Sequence, residues 1–84
     1  MSKAEKLLQR LLSRPKDFTF DELVTLLGHF GYTEVRSGKT GGSRVAFIKD
    51  EDYIRLHKPH PRKILKPYQV NNLIQDLEER GLLL

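Results

Sequence analysis

Apolar residues recur along this chain with two different periods. Ala4, Leu7, Leu8, Leu11 and Leu12 fall at i, i+3, i+4, i+7 and i+8, one stripe of a helix over residues 3–13. Lys3, Glu5, Lys6, Gln9 and Arg10 fill its other face. Pro15 stops it, because the residue before a proline is pushed out of the helical region. Thr19-Phe20-Asp21-Glu22 then matches a capping box, with Thr19 as N-cap and Glu22 three residues on. Phe18 and Leu23 sit at the two positions of a hydrophobic staple. This second helix runs to about Phe30, with Phe20, Leu23, Val24, Leu27 and Phe30 on one face, and Gly31 suits its left-handed C′ position. His29 lies in the last turn, where a cation favours the helix dipole, and reads as structural.

The middle of the chain alternates instead. Tyr32 to Arg36 is a short strand, and Ser43–Ile48 and Tyr53–His57 have strand composition around Lys49-Asp50-Glu51-Asp52 as hairpin turn. Side chains of a strand point alternately to its two faces. With Val45, Phe47, Ile54 and Leu56 toward the helices, Arg44, Arg55 and His57 share the open face. Arg36 is expected to join them, and Ile48 to be exposed or at an edge. Lys58-Pro59-His60-Pro61 reads as extended. A polyproline-like turn of three residues, rising about 9 Å, sets His57 and His60 on one side, flanked by Lys58 and Arg62.

A last helix opens with Pro67 at its first position. Val70, Leu73, Ile74 and Leu77 form its stripe, Asp76, Glu78, Glu79 and Arg80 its outer side, and Gly81 its end. Leu82-Leu83-Leu84 is expected to pack on the core. The order is α-α-β-β-β-α, an α+β domain with a three-stranded antiparallel sheet packed on helices. All 84 residues form one domain, whose small core buries about 60–65% of the unfolded surface.

Composition narrows the chemistry. There is no cysteine, so disulfides, thiolate metal sites and a cysteine nucleophile are excluded. No apolar run nears the roughly 18 residues of a membrane span, and the start lacks a signal-peptide apolar region. A soluble cytoplasmic protein is expected. The formal net charge is +4, and its distribution says more than its size. Residues 34–66 carry nine Lys and Arg against four acids, a net of +5, while the remainder has six basic and seven acidic residues. That asymmetry suggests a polyanionic partner. Ser37-Gly38-Lys39-Thr40-Gly41-Gly42 superficially has the look of a phosphate loop, but Thr33 stands where the Walker spacing needs its first glycine. Nucleotide hydrolysis is rejected. The glycines could still bring backbone N–H groups close to a phosphate, and a plain flexible turn is an equal alternative.

The order and spacing of three pieces resemble the HicA toxin family, the mRNA interferases of type II toxin–antitoxin operons. The pieces are Phe30-Gly31-Tyr32, then Gly42-Ser43-Arg44-Val45-Ala46-Phe47, then Pro59-His60 before a basic run and a terminal helix. The resemblance covers residues 19–81, and residues 1–16 look like an N-terminal helical addition. It implies a double-stranded-RNA-binding-domain-like fold, metal-independent cleavage of mRNA, no cofactor, and a HicB-like antitoxin as partner. One departure stands out. The family's motif is Gly-Ser-His with a catalytic histidine, and here that position is Arg44. A guanidinium, with a pKa above about 12, is no general base. Ser43 matches the motif without a clear chemical role.

Metal-free RNA cleavage needs a base for the 2′-OH, cations for the phosphorane and an acid for the leaving 5′-oxygen. Histidine as a residue type, with an ordinary pKa of about 6.5, suits both proton transfers. His57 and His60 are the two histidines of the basic segment, and one or both are assigned as base and acid. Arg44, Arg55 and Lys58 are assigned as phosphate clamps, with Arg36, Lys39, Ser43, Arg62 and Lys63 as further RNA contacts. Two other readings remain open at this level: a non-catalytic RNA-binding module of the same fold, and a protein-interaction domain whose basic face meets an acidic partner. With so few exposed aromatics, only Tyr53 and Tyr68 are candidates to stack on a base, and strong sequence specificity is not expected.

Overall fold

The computed structural model describes residues 3–36, 44–59 and 62–83. Its elements are α1 (Lys3–Leu12), α2 (Phe20–His29), β1 (Thr33–Arg36), β2 (Arg44–Lys49), β3 (Asp52–His57) and α3 (Pro67–Glu79). The strands form one antiparallel sheet in the order β1-β2-β3. This is the expected α+β architecture, with the three-stranded sheet and the additional first helix.

The helix boundaries follow from local chemistry. Thr19 caps α2 through a complete capping box: its hydroxyl oxygen accepts from the Glu22 N–H at 3.1 Å, and the Glu22 carboxylate accepts from the Thr19 N–H at 2.9 Å. Two helices end in Schellman motifs. After α2, Tyr32 N–H donates to Leu27 C=O and Gly31 N–H to Gly28 C=O, with Gly31 at φ +94°. After α3, Leu82 N–H donates to Leu77 C=O and Gly81 N–H to Glu78 C=O. Such ends require a left-handed residue, which glycine adopts without steric cost. In α1 the left-handed residue is Arg14 (φ 53°), whose N–H reaches Leu11 C=O. Pro15, with no N–H, leaves the second bond of that motif unmade.

The core lies between the helices and one face of the sheet. Phe18, Leu23, Leu26, Leu27, Phe47, Ile54, Leu65, Val70 and Leu77 are fully enclosed, and the Phe20 and Phe47 rings meet at 6.1 Å. Leu26 lies outside the predicted stripe. It is buried because α2 packs against both α1 and β1, so its apolar face is wider than one contact surface demands. α1 shares this core through Leu7 and Leu11. Its Arg10 binds Glu22 (3.0 Å) and Asp17 (3.1 Å) and lies over the Phe18 ring at 5.6 Å.

Three expectations are corrected. The hairpin turn is two residues, Asp50-Glu51, because Lys49 and Asp52 pair in the ladder; Asp50 takes the left-handed conformation (φ 54°) that aspartate tolerates. Ile48 is half-buried on the central strand rather than at an edge. Arg80 does not stay on the outer side of α3. Its Nε donates to Asp52 Oδ2 at 2.8 Å and its Nη2 to Tyr53 C=O at 2.9 Å, while the Tyr32 hydroxyl donates to the same Asp52 oxygen. That cluster joins the turn end of the hairpin to both helix ends.

Candidate nucleic-acid interface

The register builds the site. Arg44 pairs with His57, Ala46 with Arg55 and Ile48 with Tyr53. Val45, Phe47 and Ile54 are buried and the alternate residues Arg44, Arg55, His57 and Tyr53 are exposed. The open face thus carries Arg44, Arg55 and His57 together, as alternation predicts. Lys49↔Asp52 closes a two-residue hairpin as a hydrogen-bonded pair, so Arg44↔His57 is a non-hydrogen-bonded pair, the closer kind, with Cα atoms about 4.5 Å apart. Arg55 is diagonal to Arg44, roughly 7–8 Å away, within reach of two long side chains. Arg44, Val45, Ala46, Arg55, Leu56 and His57 line a cavity of about 390 Å³. Two guanidinium forks and an imidazole therefore border one concavity, an arrangement that can grip a phosphate from several sides.

The rest of the face is mixed. Val35, in register with Ala46, and Tyr53 are exposed large residues. The Arg55 guanidinium lies over the Tyr53 ring at 5.3 Å, a cation–π contact that orients it along the face.

The other predicted contacts divide differently. Arg36 is paired with Val45, one residue out of phase with the Arg44 row, so the register does not set it beside that row. Lys58 is half-buried, its ammonium 5.4 Å over the Phe20 ring, on the helix side rather than the open face. Arg62 and Lys63 are exposed on a segment held against α2: Phe20 N–H donates to Lys63 C=O and Leu65 N–H to Phe18 C=O, both at 2.8 Å. Lys39, Ser43 and His60 lie outside the described residues. Among the described residues no group of three or more His, Asp or Glu could hold a metal ion, and no helix is long and apolar enough to cross a membrane.

One residue that supports the site was missed by sequence reasoning. Gln69 in the first turn of α3 is only 5% exposed, the one buried polar side chain among the described residues. Its Nε2 donates to His57 C=O at 2.7 Å and its Oε1 accepts from Lys66 N–H at 3.0 Å. A single amide thus ties the end of β3 to the N-cap of α3, fixing both ends of the segment between them. The available signal was Gln at N3 after Lys66-Pro67, half of a capping box; lysine, having only donors, supplies no other half.

A small basic α+β domain with a three-stranded antiparallel sheet, consistent with a double-stranded-RNA-binding-like fold, and cations gathered at one sheet end defines the class. The family described as HicA toxin of bacterial toxin-antitoxin matches residues 20–78, and the chain belongs to it. A toxin of a toxin–antitoxin pair implies an antitoxin partner. No curated protein and no solved structure matches the chain.

Proposed function

We propose that this toxin is a metal-independent endoribonuclease acting on mRNA in the cytoplasm, and that a HicB-like antitoxin neutralises it. The observation that supports this most is the pairing of Arg44 with His57, with Arg55 diagonal to it, around one cavity on the open sheet face. Arg44 and Arg55 hold the non-bridging oxygens of the scissile phosphate. His57 takes the proton of the 2′-OH as that oxygen attacks phosphorus. The P–O5′ bond breaks, and His60, three residues on, gives its proton to the leaving 5′-oxygen. The products are a 2′,3′-cyclic phosphate and a 5′-OH. Arg44 stands where the family has histidine, so it serves as clamp and His57, facing it, supplies the imidazole. Exposed Arg62 and Lys63 extend the contact to neighbouring phosphates, with Lys39 and Ser43 as further contacts.

The test is to incubate the purified protein with mRNA in excess chelator and to identify the product ends. Cyclic phosphate and 5′-OH termini support the reading. RNA that is bound but left whole makes the protein a non-catalytic RNA binder, and RNA neither bound nor cut removes the reading altogether.

A further inference from the structure

A second concavity lies on the other side of β3. β3 is an edge strand, and in its ladder the backbone groups of Tyr53, Arg55 and His57 face away from β2. α3 runs beside that edge and closes it at two points: Arg80 Nη2 donates to Tyr53 C=O and Gln69 Nε2 to His57 C=O. Between these closures the peptide groups of Arg55 are left open. They face a slot of about 150 Å³ whose lining includes Arg55, Leu56, His57, Tyr68, Asn72 and Asp76. Drug-sized ligands occupy pockets of roughly 300–1,000 Å³; this smaller slot suits one flat base rather than a whole nucleotide.

We infer that the slot takes one unpaired nucleobase bearing an exocyclic amine, such as adenine or cytosine. The inference rests on the RNA reading of the adjacent sheet end. Arg55, Leu56 and His57 line both this slot and the cationic cavity, so a nucleotide whose phosphate lies between Arg44 and His57 has its base beside the slot. Tyr68 at the wall is 55% exposed and offers a ring face for stacking. Asn72 is exposed and its amide, unbonded to any other described residue, offers a donor and an acceptor to a base edge, the pairing asparagine makes with adenine. Asp76, its Oδ1 3.7 Å from Arg80, presents a carboxylate that accepts from an amine and repels a keto oxygen. A duplex holds its bases in the stack, so the slot selects single strands.

The test uses oligoadenylate, oligocytidylate and oligouridylate of equal length with 2′-O-methyl sugars, which block cleavage through the 2′-oxygen. Affinities are measured for the wild type, Tyr68→Ala and Asn72→Ala, both at exposed positions, with circular dichroism to verify folding. Expected is that the wild type binds the adenylate or cytidylate oligomer about tenfold more tightly than uridylate. Tyr68→Ala weakens all three about tenfold, and Asn72→Ala abolishes the difference between bases while keeping uridylate affinity. Equal binding of the three by wild type and variants overturns the slot while leaving the RNA reading intact. Unchanged RNA affinity with weakened antitoxin binding also overturns it, since the slot then belongs to the protein partner. No RNA binding by the wild type overturns both readings.

Discussion

Arg44 and His57 face each other across β2 and β3, at the end of the hairpin opposite its turn. The pair exists because strand alternation and a two-residue turn leave no other register: a slip of one residue would put Val45 and Leu56 in the open and Arg44 in the core. Both residues are exposed, so their placement comes from the apolar residues between them in the chain rather than from any contact of their own.

The phosphate-clamp role gives an ionic signature. Arg44→Ala and Arg55→Ala are each expected to lower the slope of log affinity against log salt by about 0.7, the increment that each neutralised phosphate of a single strand adds. Both positions are exposed, so thermal stability should stay within about 0.5 kcal/mol of wild type. Binding measured over a salt series checks this; an unchanged slope in both variants removes the clamps.

Gln69 should matter more for stability than any charged residue at the site. Gln69→Leu keeps the volume but leaves His57 C=O and Lys66 N–H without their partner, which should cost about 1–3 kcal/mol. In a domain of this size that is a drop of several degrees in Tm, roughly 4–8 °C per kcal/mol. A melt coincident with wild type would show that water replaces the amide.

Much of this fold was legible in the chain. The helical stripes, the Thr19–Glu22 capping box, Gly31 and Gly81 as helix stops, and the shared face of Arg44, Arg55 and His57 all follow from local rules. What was not legible depends on distant partners. Gln69 is an ordinary polar helix residue until β3 ends beside it. Lys58 looks like one more cation until the fold sets its ammonium over the Phe20 ring. Arg36 shares the charge of its neighbours, but it is in register with Val45 rather than with the Arg44 row, a pairing that strand composition does not encode.

Acid should weaken the attachment of α1 through Glu22. Its hydrogen bond from Arg10 holds the carboxyl below its ordinary value, so the pair contributes stability above the unfolded pKa of roughly 4. That contribution is lost as pH falls through the lower folded value. Asp52, bonded by Arg80 and then Tyr32, is shifted the same way. Denaturant melts from roughly pH 6 down to pH 3 should show stability falling in the acid range, and Glu22→Gln should make the fall shallower. Parallel pH curves for the two proteins would contradict the Arg10–Glu22 contribution.

The central claim is that the open sheet end cuts RNA with His57 as its base. Single-turnover cleavage of an mRNA by the wild type and by His57→Ala, in chelator, measures it most directly. The account predicts a rate loss of about 10²–10⁴-fold, the range for removal of a general base, with RNA affinity kept within a few-fold. His57→Ala cutting at the wild-type rate would contradict it and return the proton transfer to another group.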